Sequence, residues 1–530
     1  MKCKYLFYLI GIWLLVACDE DKGNYNYTEI NEVSITDLEK GKLYTKVAFV
    51  DHLIFNPEIQ STTGKKNDED YEYEWKLIPN GKDFNEIENV EELTVSRERK
   101  LDMLVTLKPG NYTGFFIVKD KETGVSFSTN FTLTVKSITS EGWMVLCEEN
   151  GKSRMDIVFN ETEQKDLVAH NIWEEDEFDP GKPVRVIYNY YMGEIVTLLV
   201  TDKGTYHLDK YDMHAGEDND LKWRFGMIPE SVHVLASANS QFSGATYWAL
   251  VDDKNDVYLL DRDVSGSVFE YPVNKIDGEE FKAAPFVGVS YDSDYNGGGY
   301  GCLPVVLYDT THRQFVVIRN HAVYPSVMTF SGKILFSAQT GRDMVHMEST
   351  KPGLIYSILK DPVTQQHYFY GMKLRAIYTE PENWWEEGEY EEYNVQEYYG
   401  EVKGEGLADA TMFACHHLHP YLFYLSNNKV YQFDMGHPDE PAKEVLSFPG
   451  ETIRVMKFNP FTAWEQYADW ERARGYQLIV GTNVDNMDEK ECGIMRVYDV
   501  PNLMEPLVKV KEFKKLGKIV DIAYKERPKR

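Results

Sequence analysis

Hydrophobic positions along the chain follow two different rhythms. In the first, Tyr71, Tyr73 and Trp75 alternate with Glu72 and Glu74, and a period of two puts the three aromatic rings on one face of a strand. Lys108-Pro109-Gly110-Asn111-Tyr112 reads as a turn entering a strand that runs through Val118. Asp120-Lys121-Glu122-Thr123-Gly124 turns the chain into Val125-Ser126-Phe127-Ser128, and Phe131-Thr132-Leu133-Thr134-Val135 follows. Alternating strands separated by turn residues predict a β-sandwich over residues 31–138.

The second rhythm fills residues 139–530. Seven segments repeat one plan: an apolar strand, a polar turn with Asp, Asn or Gly, and a second apolar strand. They begin at Trp143, Val196, Trp248, Val305, Ile355, Leu422 and Leu478, and their second strands carry Ile157, Tyr206, Tyr258, Phe315, Tyr368, Tyr431 and Val497. The latter positions recur at intervals of roughly 49 to 66 residues, a length that suits a hairpin-centred β-propeller blade. A lone four-stranded blade leaves both faces uncovered, whereas a closed ring makes each blade the lid of the next. The repeat therefore predicts an all-β chain, a sandwich followed by a seven-bladed propeller, with Lys518–Tyr524 as a late strand able to complete the first or last blade. The period stands without a WD, Kelch or Asp-box signature, and a string of β-sandwich domains is the alternative it leaves open.

The N-terminus has its own pattern. Lys2 and Lys4 precede an apolar run from Tyr5 to Val16 that stops at Ala17-Cys18, which reads as a secretory signal over residues 1–17 and is too short for a membrane span. Leu15-Val16-Ala17-Cys18 resembles a bacterial lipobox, which implies acylation of the Cys18 thiol and cleavage before it. Acyl chains contribute about 0.8 kcal/mol per buried methylene, so the mature chain would be tethered to a membrane. Asp19, Glu20 and Asp21 open an acidic linker over residues 18–30. An acidic cluster in this place resembles the export signal that sends Bacteroidetes lipoproteins to the outer face of the outer membrane. An ordinary cleaved signal, or a periplasmic lipoprotein with a solvated linker, is the plainer alternative.

A tryptophan-bearing strand followed by Pro109-Gly110-Asn111-Tyr112 and a strand ending at Asp120 and Gly124 is similar to the immunoglobulin-like PKD module. With the lipobox, the acidic cluster and the long β-rich C-terminal region, the chain resembles the PKD-like surface lipoproteins of Bacteroidetes. That resemblance implies a SusC/SusD-type outer-membrane importer as partner, beside which such lipoproteins capture glycans or peptides. The sandwich would then act as a spacer or docking unit.

Composition narrows the ligand classes. Acidic residues outnumber basic ones 86 to 56, for a formal charge of -30, a field that repels nucleic acid and anionic lipid head groups. With 43% hydrophobic and 14% aromatic residues the chain can bury substantial cores. Of six cysteines, Cys3 leaves with the signal and Cys18 takes the lipid; Cys147, Cys302, Cys415 and Cys492 are far apart, mostly in apolar strand-like contexts, and read as buried small side chains.

Three stretches carry candidate chemistry. Asp292, Asp294 and Asn296, followed by Gly297, match the start of a calcium loop, although the twelfth position is Leu303 where a bidentate glutamate would stand. Cys415, His417 and His419 would share one face of a strand, with donor types that suit zinc, but Pro420 and the apolar neighbours favour a packed strand. Trp384, Trp385, Tyr390 and Tyr393 lie in an acidic insertion, and Trp173 stands in a similar stretch, Asn171–Phe178. Aromatic faces stack on sugars or peptide side chains while carboxylates accept hydrogen bonds, so these residues are candidate ligand or partner contacts.

No Gly-x-Ser-x-Gly elbow, His-Glu-x-x-His pair or phosphate loop occurs in the sequence. The expected function is therefore a non-catalytic accessory binding subunit of a SusC/SusD-type uptake complex, with calcium as the one cofactor suggested. A surface propeller enzyme acting on glycans, as glycoside hydrolase or polysaccharide lyase, and a structural or adhesive lipoprotein are the alternatives.

Overall fold

A computed structural model describes residues 31–527, apart from 49–50, 65–67, 81–92, 161–162, 164, 175–176, 192–193, 240–246, 262–267, 291–303, 320–321, 351–352, 380–382, 384–388 and 460–466. The chain divides between Lys136 and Ser137 into two compact units, and in both the regular elements are mostly strands, with a few short helical turns.

In the first unit the alternation of Tyr71–Pro79 is realised directly: Tyr71, Tyr73, Trp75 and Leu77 are buried while Glu72 is exposed. This strand pairs antiparallel with Gly110–Asp120, which pairs with Ser126–Lys136. Leu43–Val47 adds to Ser126–Lys136 in parallel, and Thr94–Ser96 completes the five-stranded sheet on the other side. A separate pair, His52–Phe55 with Leu101–Leu104, supplies the facing layer. Phe55 stacks on Trp75 at 5.5 Å and Phe116 lies 4.3 Å from the same indole, centroid to centroid, so Trp75 is the centre of this core. The turn at Pro109 is tied by Tyr112, whose hydroxyl donates to the Lys108 carbonyl at 2.7 Å, the local bond that a tyrosine corner makes.

Every one of the seven hairpins expected from the repeat is present in the second unit as an antiparallel pair. Local turn chemistry explains two of them. Asn150 and Gly151 have φ of 52° and 75°, and Asn427 and Asn428 have 51° and 60°, the left-handed values that two-residue hairpin turns demand.

Each hairpin sits in its own sheet, so the described residues form seven successive antiparallel sheets of three or four strands, besides two short two-stranded ribbons. Their cores are shared between neighbours. Val196, Leu198 and Val200 of the second sheet pack with Trp248 and Leu250 of the third, and Leu307 and Val316 of the fourth pack on Val251 and Leu259 of the third. Tyr308 and Phe315 meet Ile355 and Tyr370 of the fifth, Tyr356 and Phe369 meet Leu422 and Tyr424 of the sixth, and Phe423 and Val430 meet Leu478 and Val480 of the seventh. Finally Ile479 and Met495 of the seventh pack with Trp143 and Val158 of the first.

The late strand completes the first sheet rather than the seventh. Lys518–Lys525 pairs antiparallel with Gly142–Glu149, giving the order Asp166–Ala169, Lys152–Asn160, Gly142–Glu149, Lys518–Lys525. Trp143 lies edge-on to Tyr524 at 4.8 Å across this junction. The strand Gly142–Glu149 can begin at its first residue because Gly142 has a φ of 139° and a Cβ there would fall 2.6 Å from the Val158 carbonyl oxygen.

Cys147, Cys415 and Cys492 are buried free thiols, and burial pushes the Cys147 and Cys415 thiols well above their ordinary value. They pack as small apolar side chains rather than as reactive thiolates. Cys302 lies outside the described residues.

Candidate functional site

The strands Lys518–Lys525, Pro183–Tyr191, Val234–Asn239, Asp343–Ser349, Met412–Cys415 and Glu451–Lys457 each form one edge of their sheet, and polar side chains on several of them bond across sheet boundaries. Lys457 Nζ meets Asp521 Oδ1 at 2.6 Å, and the other Asp521 oxygen accepts from the Val186 backbone at 3.1 Å. One aspartate thereby joins the seventh, first and second sheets. Asn189 donates to Ser237 Oγ at 2.8 Å between the second and third. His346 Nε2 lies 2.7 Å from Glu348 Oε2, which also accepts from Cys415 N at 3.0 Å between the fifth and sixth. These groups are half-buried and engaged with one another, so they hold the sheets in register.

A second polar centre lies on the first sheet. Arg154 and Asp156 are two apart on the strand Lys152–Asn160 and share a face. The guanidinium makes a two-pronged contact with Asp156, Nε to Oδ1 at 2.9 Å and Nη2 to Oδ2 at 3.1 Å, and Nη1 reaches Glu149 Oε2 and the Lys490 carbonyl, each at 3.0 Å. Asp156 also accepts from the backbone of Asn171 at 2.7 Å and of Gly517 at 2.9 Å. Burial opposes the charge on Arg154, yet the Asp156 and Glu149 carboxylates outweigh it and hold the guanidinium above its usual value. A buried charge pair of this kind is stable only when its remaining hydrogen bonds are made, and here the loop at Asn171 supplies one.

That loop forms the wall of a cleft of about 370 Å³. Trp173, Phe178 and Pro180 give it apolar surface, and Glu149, Glu174, Glu177 and Asp179 give it carboxylates. Trp173 is 9% exposed, and its indole N–H donates to the Met213 carbonyl at 2.9 Å, which fixes the ring. Phe178 is held edge-on by Tyr206 at 5.4 Å. For Asp179, burial is outweighed by the Gly181 N–H and by Lys203 and Lys152, so its carboxyl sits below the usual range. A second cleft of about 450 Å³ lies on the other side of Arg154, lined by His170, Asp488, Lys490, Glu491 and Lys515.

Of the residues singled out in the sequence, Trp173 lines the first cleft but is almost wholly buried. Tyr393 is half-buried beside the fifth sheet, its N–H on the Arg375 carbonyl at 2.9 Å, and Tyr390 lies opposite Tyr378 in the ribbon Ala376–Thr379 with Glu389–Glu392. The described aromatic candidates therefore lie in separate places, Trp173 in the turn after Asp166–Ala169 and Tyr390 and Tyr393 at the ribbon that precedes Val395–Val402. Trp384, Trp385, the calcium candidates Asp292, Asp294 and Asn296, and Cys18, Asp19, Glu20 and Asp21 lie outside the described residues.

The zinc alternative changes for a local reason. The strand Met412–Cys415 stops at the cysteine, so the histidines that follow do not alternate. His416 Nδ1 instead accepts from Leu418 N at 3.1 Å and His419 N at 2.9 Å, while Nε2 donates to the Tyr476 carbonyl at 3.0 Å. Among the described residues no group of three or more His, Cys, Asp and Glu side chains is placed to hold a metal ion.

The Arg154 centre escaped the sequence reading. Its one local signal is a pair of opposite charges two apart, Arg154 and Asp156, directly ahead of the apolar run Ile157-Val158-Phe159.

Residues 18–180 match the PKD-like family. The match runs past the sandwich and takes in three strands of the first sheet. The chain is thus all-β with a PKD-like N-terminal domain. Among solved structures it is similar to a quinoprotein alcohol dehydrogenase-like protein of Bacteroides thetaiotaomicron, at 12% identity and a TM-score of 0.38 over 94% of this chain and 100% of that one. It is also similar to an apocarotenoid oxygenase of Synechocystis, at 9% identity and 0.33 over 94% and 96%, and to the WD40 domain of fission yeast SCAP, at 6% and 0.28 over 62% and 74%. No curated protein matches the sequence.

Proposed function

We propose that this chain is a surface lipoprotein of the Bacteroidetes outer membrane, anchored through Cys18, and a non-catalytic binding subunit of a SusC/SusD-type uptake complex for glycans or peptides. In this reading the PKD-like sandwich is followed by a seven-bladed β-propeller. The observation that carries it is the place of the family match, which begins at residue 18, the cysteine that the lipobox would make N-terminal. Support for the propeller comes from the seven sheets, each sharing a core with a neighbour, and from the pairing of Lys518–Lys525 with Gly142–Glu149.

The engagement of Glu348 and Asp521 by neighbouring donors suits a scaffold better than a pair of catalytic carboxylates, which needs room for substrate between them. Radioactive palmitate should label the wild-type chain in growing cells and fail to label Cys18→Ser. Affinity purification of the full chain from solubilised outer membrane should recover an importer of that type, and its absence from the eluate overturns the assignment to an uptake complex.

A further inference from the structure

One edge of the five-stranded sheet in the sandwich is open along part of its length. Ser126–Lys136 is paired with Gly110–Asp120 from Ser126 onward, but on its other side Leu43–Val47 covers only Thr132 to Lys136. Backbone groups of an antiparallel strand alternate between its two edges. The Asn130 carbonyl accepts from Gly41 N at 2.8 Å and Thr132 N donates to the Lys42 carbonyl at 2.9 Å, so the even-numbered residues turn toward that side. Ser126 and Ser128 therefore aim their N–H and C=O groups outward, where they meet no backbone partner among the described residues. Val33–Thr36 borders the same opening. It pairs with Glu58–Ser61, and the bond from Thr62 N to the Glu32 carbonyl at 3.1 Å commits its even-numbered residues to that pairing, which leaves the backbone groups of Val33 and Ile35 pointing away from it. Both strands line one groove of about 500 Å³. Val33 and Leu38 in its lining are buried, Ile35 and Phe127 are half-buried, and Ser128 is exposed.

We propose that this groove docks an extended peptide segment of a second protein, which adds as a strand to the edge at Ser126–Asn130. A peptide backbone answers a row of unpaired N–H and C=O groups with its own, while its alternate side chains reach the apolar lining at Ile35 and Phe127; a glycan carries no such ladder. Exposed edges are ordinarily guarded by lysine or proline, and this chain does so on the edge strand Val508–Leu516 with Lys509, Lys511, Lys514 and Lys515. Ser126-Phe127-Ser128-Thr129-Asn130 has neither proline nor charge, so the edge stands ready for a partner. The formal charge of -30 repels a second copy of this chain and favours a segment flanked by basic residues.

The groove lies in the first unit, and its test needs neither the lipid anchor nor an importer, so it stands apart from the proposed function. The probe is an end-capped peptide, lysine-valine-threonine-valine-threonine-valine-lysine, whose alternating β-branched residues favour the extended form. At millimolar concentration it should slow hydrogen exchange of the full chain in the fragment spanning Ser126–Asn130 and leave Val508–Leu516 unchanged. The same peptide N-methylated at its five central residues keeps every side chain but loses those backbone donors, and it should give no protection. Ser128→Pro deletes an N–H that no strand of this chain uses, so it should weaken the peptide about tenfold with the urea midpoint unchanged; the methylated peptide tests the wild type even where that variant unfolds. The proposal is overturned if the peptide leaves exchange at Ser126–Asn130 unchanged, if the methylated peptide protects equally, or if a folded Ser128→Pro binds as well as the wild type. A wild-type chain that sediments as a dimer and a Ser128→Pro chain that sediments as a monomer would assign the edge to a second copy and overturn it too.

Discussion

Tyr524 donates its hydroxyl to Glu141 Oε1 at 2.7 Å across a separation of 383 residues. Glu141 is buried, and Arg527 Nε stands 3.2 Å from its other oxygen. The contact fastens the last strand of the second unit to the segment that opens it. Removing the hydroxyl leaves a buried carboxylate short of one donor, which costs about 1–3 kcal/mol. Removing the ring as well deletes the edge contact with Trp143, and large-to-small changes of aromatic core residues cost about 3–5 kcal/mol. Urea unfolding should therefore rank the wild type above Tyr524→Phe and Tyr524→Phe above Tyr524→Ala; equal midpoints would mean that this junction contributes nothing.

His416 makes the second unit sensitive to acid. Its Nδ1 accepts two backbone N–H groups, and burial, helped by neighbouring His419, pushes its value down to about 4. In the unfolded chain a histidine titrates near 6.5. Between these values the unfolded state binds the extra proton, so stability falls as pH drops from about 6.5 to about 4, by roughly 3 kcal/mol in total. Melting curves taken through that window should show His416→Asn flatter than the wild type. An identical acid limb in both would refute the role given to His416.

Gln432 is fully buried on the strand Lys429–Asp434, and neither its side-chain oxygen nor its nitrogen has a hydrogen-bond partner among the described residues. An unsatisfied buried amide costs about 1–3 kcal/mol, while an apolar group of like shape carries no such penalty. Gln432→Met should raise the urea midpoint of the second unit without changing the slope. A lowered midpoint would show that the amide has a partner in solution.

In the sandwich, Tyr112→Phe removes only the bond to the Lys108 carbonyl. The expected loss is about 1 kcal/mol, confined to the unit before Ser137, so hydrogen exchange should quicken in Gly110–Asp120 and stay unchanged in the seven sheets. Faster exchange across both units would contradict this assignment.

Local grammar made much of the fold readable. Trp75 and its alternating neighbours announce their buried face, and Asn150-Gly151 announces a hairpin because few other residues accept left-handed backbone. Distant partnerships were not readable. Nothing in Lys518–Lys525 distinguishes the first sheet from the seventh, since an apolar strand pairs with either edge and the choice is made by packing around Trp143. The candidate site was half visible: Trp173 stood out by composition, but its bond to Met213 and the Arg154–Asp156 centre behind it depend on loops brought together only in the folded chain. The expected alternation of Cys415, His417 and His419 failed because the strand stops at Cys415, where His416 captures the following N–H groups and turns the backbone.

The pairing of Gly142–Glu149 with Lys518–Lys525 also sets a timetable. The first sheet is begun early in the synthesis of the second unit yet lacks its fourth strand, Lys518–Lys525, until nearly all of that unit has been made. Through that interval it keeps an open edge, and the Trp143 side of its core stays wet.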